Sequence, residues 1–136
     1  LQLEITELAV VRDEAAAKAA LSALRATGVR LALDDFGTGY SGLAWLRQLP
    51  VHALKIDGSF VDGLRHRHAD PVDRSIVEAL VRMAHALDLE VAAEWVETAQ
   101  QMEWLTALGC DLGQGRWLGE AGPAESVADL WRRNME

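Results

Sequence analysis

Leu31-Ala32-Leu33-Asp34-Asp35-Phe36-Gly37-Thr38-Gly39-Tyr40 joins a short apolar run to two adjacent carboxylates and a loop with two glycines. Adjacent acids at a strand end repel each other unless a cation or a proton neutralises them. Oxygen donors of this kind suit Mg²⁺, Mn²⁺ or Ca²⁺. The stretch therefore reads as a hard-metal site at the mouth of an α/β sheet. The same letters also fit a strand followed by an acidic helix-capping turn, so the rest of the chain has to decide.

Moving outward, strand-like and helix-like segments alternate. Leu1 to Ile5 alternates apolar and polar residues. Asp13 to Thr27 is an Ala-rich helix, with Asp13 as N-cap, Gly28 just past its end, and Ala17, Ala20, Leu21 and Leu24 as its apolar stripe. Val29 to Leu33 is the second strand, and a short helix from Ser41 or Gly42 to Leu49 stops at Pro50. Ala53 to Asp57 is the third strand, Ser59 to Leu64 a turn or short helix, and Arg65 to Ala69 an exposed loop. Asp70-Pro71 opens a long helix to about Leu87, with Ile76, Leu80, Met83 and Leu87 as its expected buried stripe. Leu89 to Ala93 is the fourth strand. Thr98 and Gln101 form a capping box for a helix that Gly109 ends. Cys110 to Leu112 is a short fifth strand, Gly113-Gln114-Gly115 a turn, and Pro123 opens a last helix containing Val127, Leu130 and Trp131. Five strands alternating with helices predict an α/β fold with a parallel sheet and right-handed crossovers.

The composition sets bounds on function. The chain has 136 residues, half of them apolar, which suffices for one domain with a real core. Its net charge of −8 argues against a nucleic-acid polymer or an anionic membrane as partner. A phosphate substrate would need a local cation to offset that charge. The one cysteine, Cys110, rules out an intrachain disulfide and reads as a small buried hydrophobe. No apolar run approaches the roughly 18 residues of a membrane span. A cytoplasmic location is expected, with a membrane anchor elsewhere in a longer parent left open.

Ligands bind at the carboxyl ends of strands in parallel α/β folds. Those ends carry Glu4, then Asp34 and Asp35, then Lys55 and Asp57, then Glu94, then Gln114. Glu4, Asp34 and Asp35 are the metal-ligand candidates. Lys55 lies in an apolar strand, where an ammonium needs a carboxylate or a bound anion. Glu94 is a further ligand or a general base. Two hard cations sharing a carboxylate would suit phosphodiester hydrolysis. Glu7 and Glu97, each three residues after a site acid, fit helix caps equally well, and Asp57 reads as a turn residue. His66 and His68 read as part of a solvated loop, and His52 and His85 as surface or satisfied core residues. The five tryptophans are too scattered to build a base-stacking platform and are expected in the core or at an interface.

In order and spacing, Leu3-Glu4-Ile5-Thr6-Glu7, Asp34-Asp35-Phe36-Gly37-Thr38-Gly39, Leu54-Lys55-Ile56-Asp57, Ala93-Glu94-Trp95-Val96-Glu97-Thr98 and Gly113-Gln114-Gly115 resemble the C-terminal part of the EAL domain. The resemblance implies a partial TIM-like (β/α) barrel. It also implies hydrolysis of cyclic di-GMP to pGpG with Mg²⁺ or Mn²⁺, two ions in the intact domain. It assigns Glu4, Asp34 and Asp35 to metal binding, and Lys55 and Glu94 to catalysis. Gln114 is assigned to the site, and Glu7 to steadying the loop from Phe36 to Ser41. That loop, with Gly37, Thr38 and Gly39, is linked in the family to metal binding and dimerisation, and Glu97 is placed beside it as support. Residues 1–136 are expected to be the C-terminal portion of one such domain, with the N-terminal strands, the Glu-Ala-Leu motif and an asparagine ligand lying upstream. A piece cut from a barrel leaves sheet edges open, so self-association or a homodimer is expected, with a sensory or GGDEF domain upstream. The piece alone is expected to lack full activity.

Trp95 departs from the family pattern, where glycine is usual beside the glutamate. Arg116-Trp117-Leu118-Gly119-Glu120 departs from the usual run after the glutamine. Both bear on the shape of the substrate pocket. A degenerate domain that binds the dinucleotide or a partner protein without cutting it is the rival reading. A receiver-like signalling domain fits less well, because its acid pair follows the first strand and its lysine ends the fifth.

Overall fold

In a computed structural model of the chain, which describes residues 1–37, 43–65, 70–124 and 126, five strands form one sheet in the order β1-β2-β3-β4-β5. They are β1 (Gln2–Thr6), β2 (Arg30–Phe36), β3 (Ala53–Ile56), β4 (Glu90–Ala93) and β5 (Leu112–Gly113). Every neighbouring pair is parallel. Sequential order with right-handed crossovers brings the helices to one face, the arrangement of a barrel wall. Those helices are α1 (Glu7–Arg12), α2 (Glu14–Ala26), α3 (Leu43–Leu46), α4 (Gly58–Asp62), α5 (Pro71–Ala86) and α6 (Ala99–Leu108). The outer edges of β1 and β5 pair with no strand among the described residues.

Alternation along the strands divides the sheet into two faces. Leu31, Leu33, Leu54, Ile56, Val91 and Ala93 point into the core under the helices. Ala32, Ala53 and Ala92 occupy the alternate positions, register with one another or with Lys55, and stay outside that core. This second face carries Glu4, Asp34, Lys55 and Glu94 towards the carboxyl ends. Arg30 and Glu90 form an ion pair across it at the amino ends. All four residues of β3 are buried, as expected for a central parallel strand.

Local chemistry sets the helix ends. Asp13, Asp57 and Asp70 accept backbone N–H groups at the starts of α2, α4 and α5 (2.9, 2.9 and 2.8 Å). Asp57 is thus the N-cap of α4, in keeping with its reading as a turn residue. Gly109 ends α6 with φ 87, a conformation open to glycine at no steric cost. Gln101 is fully buried and joins three segments. Its Oε1 accepts from the N–H groups of Glu97 (2.8 Å) and Thr98 (3.0 Å), and its Nε2 donates to the Val61 carbonyl (3.0 Å).

Several sequence expectations change. Strand β2 runs three residues further than the apolar run, through the acid pair to Phe36. A short helix, α1, intervenes before Asp13, and β5 starts at Leu112 rather than Cys110. The buried stripe of α5 is Val77, Val81 and Ala84, one residue on from the expected set. Leu80, Met83 and Leu87 flank it, because two adjacent helical rows are both apolar and the shorter side chains fit the centre. The letters Glu78-Ala79-Leu80 do occur, in the middle of α5. There Glu78 pairs with Arg82 at 2.7 Å, one turn on and far from any strand end, so this tripeptide is not the expected upstream motif. Trp95 and Trp117 are 57% and 55% exposed and so lie outside the core, whereas Trp45 is buried in it. Cys110 is partly buried, and burial pushes its thiol up to about 11. Thr38, Gly39, His66, His68, Val127, Leu130 and Trp131 lie outside the described residues. Among the described residues no helix is long and apolar enough to cross a membrane.

Two of these polar contacts lend themselves to measurement. Gln101→Leu keeps the volume but leaves the Glu97 and Thr98 N–H groups without their partner, while the Val61 carbonyl keeps the Leu64 N–H. Equilibrium denaturation should report a loss of about 3 kcal/mol. The second concerns Asp111. Its Oδ2 accepts from the Val91 N–H (2.8 Å) and lies 2.8 Å from His85 Nε2. Although partial burial raises its pKa, the bonds to His85 and Val91 hold it below the ordinary aspartate range. A depressed carboxyl stabilises the fold at pH above the unfolded value, and that contribution is lost as pH falls through the folded one. Melting curves of wild type and Asp111→Asn should therefore differ near neutrality and converge in strong acid.

Candidate active site at the carboxyl ends of the strands

Adjacent residues of a regular strand point to opposite faces, so Asp34 and Asp35 should diverge. The structure solves this with an irregularity. Between the pairs Leu33↔Leu54 and Phe36↔Ile56, β2 spends three steps where β3 spends two. The extra residue is a bulge, and Asp35 sits in it with φ 55. Two things result. Phe36 returns to the core beside Ile56, and both aspartates reach the same end of the sheet.

Lys55 organises that end. Its Nζ lies 2.7 Å from Glu4 Oε2, 3.0 Å from Asp34 Oδ1 and 2.6 Å from Glu94 Oε1. The lysine side chain is only 4% exposed. Burial works against its charge, but hydrogen bonds to Glu4, Glu94 and Asp34 outweigh it and hold the ammonium well above its ordinary pKa. Glu94 moves up chiefly because it is desolvated, with Asp34 and Asp35 adding repulsion and Lys55 opposing. Asp35 also moves up, first through desolvation and then through Asp34 and Asp57.

One oxygen each from Asp34, Asp35 and Glu94 fall within 4.8 Å of one another. Asp34 Oδ1 is buried and faces the Lys55 ammonium at 3.0 Å. Three hard oxygens in one place are the donor set of a divalent cation. These residues fit such an ion. Glu4 is not among these three; its carboxylate meets them through the shared Lys55 ammonium.

The remaining candidates surround this centre. Glu7, at the start of α1 and 2% exposed, accepts from the Gly37 N–H at 3.0 Å and so ties the chain after the acid pair to the end of β1. Gly37 lies against the Phe60 ring, where a Cβ would come within 2.9 Å. Gln114 follows β5 and is exposed. Its N–H donates to Ala93 and its carbonyl accepts from Val96 (2.8 and 3.0 Å). Glu97 caps no helix. It accepts from Arg65 Nη2 at 2.6 Å, and Arg65 also pairs with Asp62. Arg65 is therefore anchored rather than part of a solvated loop; the acid three residues before it is the signal in the sequence. Trp95, directly after Glu94, adopts φ 55. A bulky residue where glycine is usual is the sign of that conformation.

Comparison with known proteins agrees with this geometry. The family described as EAL domain matches residues 1–121. The bifunctional diguanylate cyclase/cyclic di-GMP phosphodiesterase MucR of Pseudomonas aeruginosa is 46% identical over 127 residues, which are 93% of this chain and 18% of that protein. The solved PaMucR phosphodiesterase in complex with c-di-GMP superposes with a TM-score of 0.86 at 46% identity, covering 93% of this chain and 50% of that one. A manganese/cy-diGMP complex of Klebsiella pneumoniae BlrP1 has a TM-score of 0.75 at 37% identity, covering 85% of this chain and 29% of that one. The chain thus spans half or less of each of these three proteins. With five motifs on five successive strand ends and a family match over nearly its whole length, this chain belongs to the EAL domain family.

Proposed function

We propose that this site hydrolyses cyclic di-GMP, opening one phosphodiester to give the linear dinucleotide pGpG. The observation that carries the reading is the trio of carboxylate oxygens from Asp34, Asp35 and Glu94, with the Lys55 ammonium holding Asp34 and Glu94 from behind. A relative of this fold and sequence is described in complex with c-di-GMP, and another with manganese as well. Asp34, Asp35 and Glu94 would hold the cation, with Glu4 as a neighbouring carboxylate. Mg²⁺ and Mn²⁺ both suit these donors. A divalent ion bound there supplies Lewis-acid activation of water and offsets charge on the diester.

The chain's own groups do the rest. Lys55 fixes Glu94 through Oε1, which leaves the second oxygen to accept a proton from the attacking water. The water oxygen forms a bond to phosphorus, the bond from phosphorus to the bridging 3′ oxygen breaks, and the 3′ hydroxyl leaves with a proton from solvent. Glu7 and Gly37 hold the chain behind the acid pair, and Gln114 stands at the rim. The open edges of β1 and β5 support pairing with further strands, either of a longer parent carrying sensory or cyclase domains or of a second copy.

The deciding experiment follows cyclic di-GMP turnover by the protein that carries this chain. Chelation should abolish pGpG formation, and Mn²⁺ or Mg²⁺ should restore it. Asp34→Asn and Glu94→Gln should each lower kcat at least ~100-fold. Tight binding with no turnover in wild type would favour a receptor instead. Lys55→Met tests the organising role separately. Removing the ammonium leaves Glu4, Asp34 and Glu94 facing one another, so kcat should fall by about 100-fold or more and thermal stability should drop. Wild-type kinetics in this variant would remove Lys55 from the mechanism.

A further inference from the structure

Trp95 stands out because every local preference is against it. It follows a catalytic-site glutamate, its φ of 55 is one that bulky side chains rarely adopt, and it is 57% exposed. Its ring is nonetheless firmly seated. Indole atoms Cγ, Cδ2 and Cε3 lie so close over Gly58 that a Cβ there would meet them at 2.1 to 2.5 Å. Gly58 opens α4 directly beyond β3, so the ring bridges the ends of β3 and β4.

On its other side the indole lines a cleft of about 470 Å³ with Arg65, Glu97, Gly115 and Arg116. That volume is within the roughly 300–1,000 Å³ of small-molecule sites. The floor is rigid. Gly115 packs directly on the Val96 backbone, where a Cβ would come within 2.2 Å, and Trp117 N–H donates to the Val96 carbonyl at 3.0 Å. Arg65 is neutralised by Asp62 and Glu97, whereas Arg116 enters no ion pair among the described residues. The cleft thus combines a propped aromatic ring and a guanidinium, on the residue that follows Glu94 and in the run after Gln114.

We propose that Trp95, propped on Gly58, is the stacking surface for one purine base of the substrate, with Arg116 beside it for the ring edge or phosphate. This rests on the reading of the site as one for a cyclic dinucleotide. Stacking on an indole is sequence-tolerant but demands a planar base, so Trp95 acts as a specificity-determining residue and has no part in bond breaking. Its contribution belongs in KM rather than kcat.

The test compares Trp95→Gly, Trp95→Phe and Gly58→Ala in the protein that carries this chain, with cyclic di-GMP as substrate. Glycine adopts φ 55 freely, so Trp95→Gly removes the ring without adding backbone strain. It should raise KM about tenfold and leave kcat within about twofold. Trp95→Phe should recover most of the loss, and Gly58→Ala, which unseats the ring, should resemble Trp95→Gly. Unchanged KM in Trp95→Gly, or a loss carried by kcat, overturns the proposal. If wild type binds cyclic di-GMP without cutting it, the hydrolytic reading fails while the role of Trp95 stays testable by Kd. In that case a rise of about tenfold in Trp95→Gly, recovered in Trp95→Phe, supports the stacking role, and an unchanged Kd overturns it. Wild type that neither binds nor cuts it overturns both.

Discussion

One ammonium holding three carboxylates is the constraint around which this structure is arranged. Lys55 comes from a strand buried along its whole length, and Glu4, Asp34 and Glu94 converge on it from three other strand ends. Stability alone does not require such a cluster, since a buried ion pair can often be replaced by packed apolar groups at no loss. What the lysine does is fix the acids in place. With Asp35 added, four carboxylates face one ammonium, so the centre carries surplus negative charge. A rigid acidic site of this kind attracts a hard cation.

The backbone makes that convergence possible. A regular β2 would send Asp35 to the face under the helices, into the core that Phe36 fills. The bulge moves the alternation on by one residue and delivers two adjacent acids to one place. Its cost is a non-glycine residue with positive φ, and Trp95 repeats that conformation after β4. Strained backbone persists where surrounding contacts over-determine it. Here they do: the Gly37 N–H donates to Glu7 just beyond Asp35, and Trp95 is pinned by Gly58 and by the bonds that tie Val96 to Gln114 and Trp117.

Much of this was legible in the sequence, for identifiable reasons. Strand ends stand out because apolar runs stop at a charged residue, and Asp13, Asp70 and Thr98 announce the helices they cap. The order of polar groups along the chain therefore points to the edge of the sheet where they meet. What could not be read depends on tertiary geometry. The apolar run ending at Leu33 gives no sign that pairing continues through Asp34 and Asp35, because the bulge exists only against β3. The two apolar rows of α5 are indistinguishable until packing selects Val77, Val81 and Ala84. Nor does the sequence show that the carboxylates of Glu4, Asp34 and Glu94 share the one ammonium of Lys55. Glu78-Ala79-Leu80 shows the converse: three letters that spell a motif mean nothing in the middle of a helix.

Chemistry and recognition are carried by different parts of this molecule. The charged centre is built on paired strands, and the face beneath it is lined by Ala32, Ala53 and Ala92, too small to contact a large ligand. Groups held on strands are positioned closely, which suits proton transfer and cation binding. Selection among ligands then falls to the segments beyond the strand ends, which vary without disturbing the centre. A net charge of −8 and an acidic centre work against an anionic diester wherever salt does not screen them. For the cyclic dinucleotide proposed as substrate, the groups that would offset that repulsion at short range are a cation on the carboxylates, Arg116 and the planar surface of Trp95. The departures of this chain from its family's usual pattern, at Trp95 and in the run after Gln114, fall in that outer layer and leave Lys55 and its acids untouched.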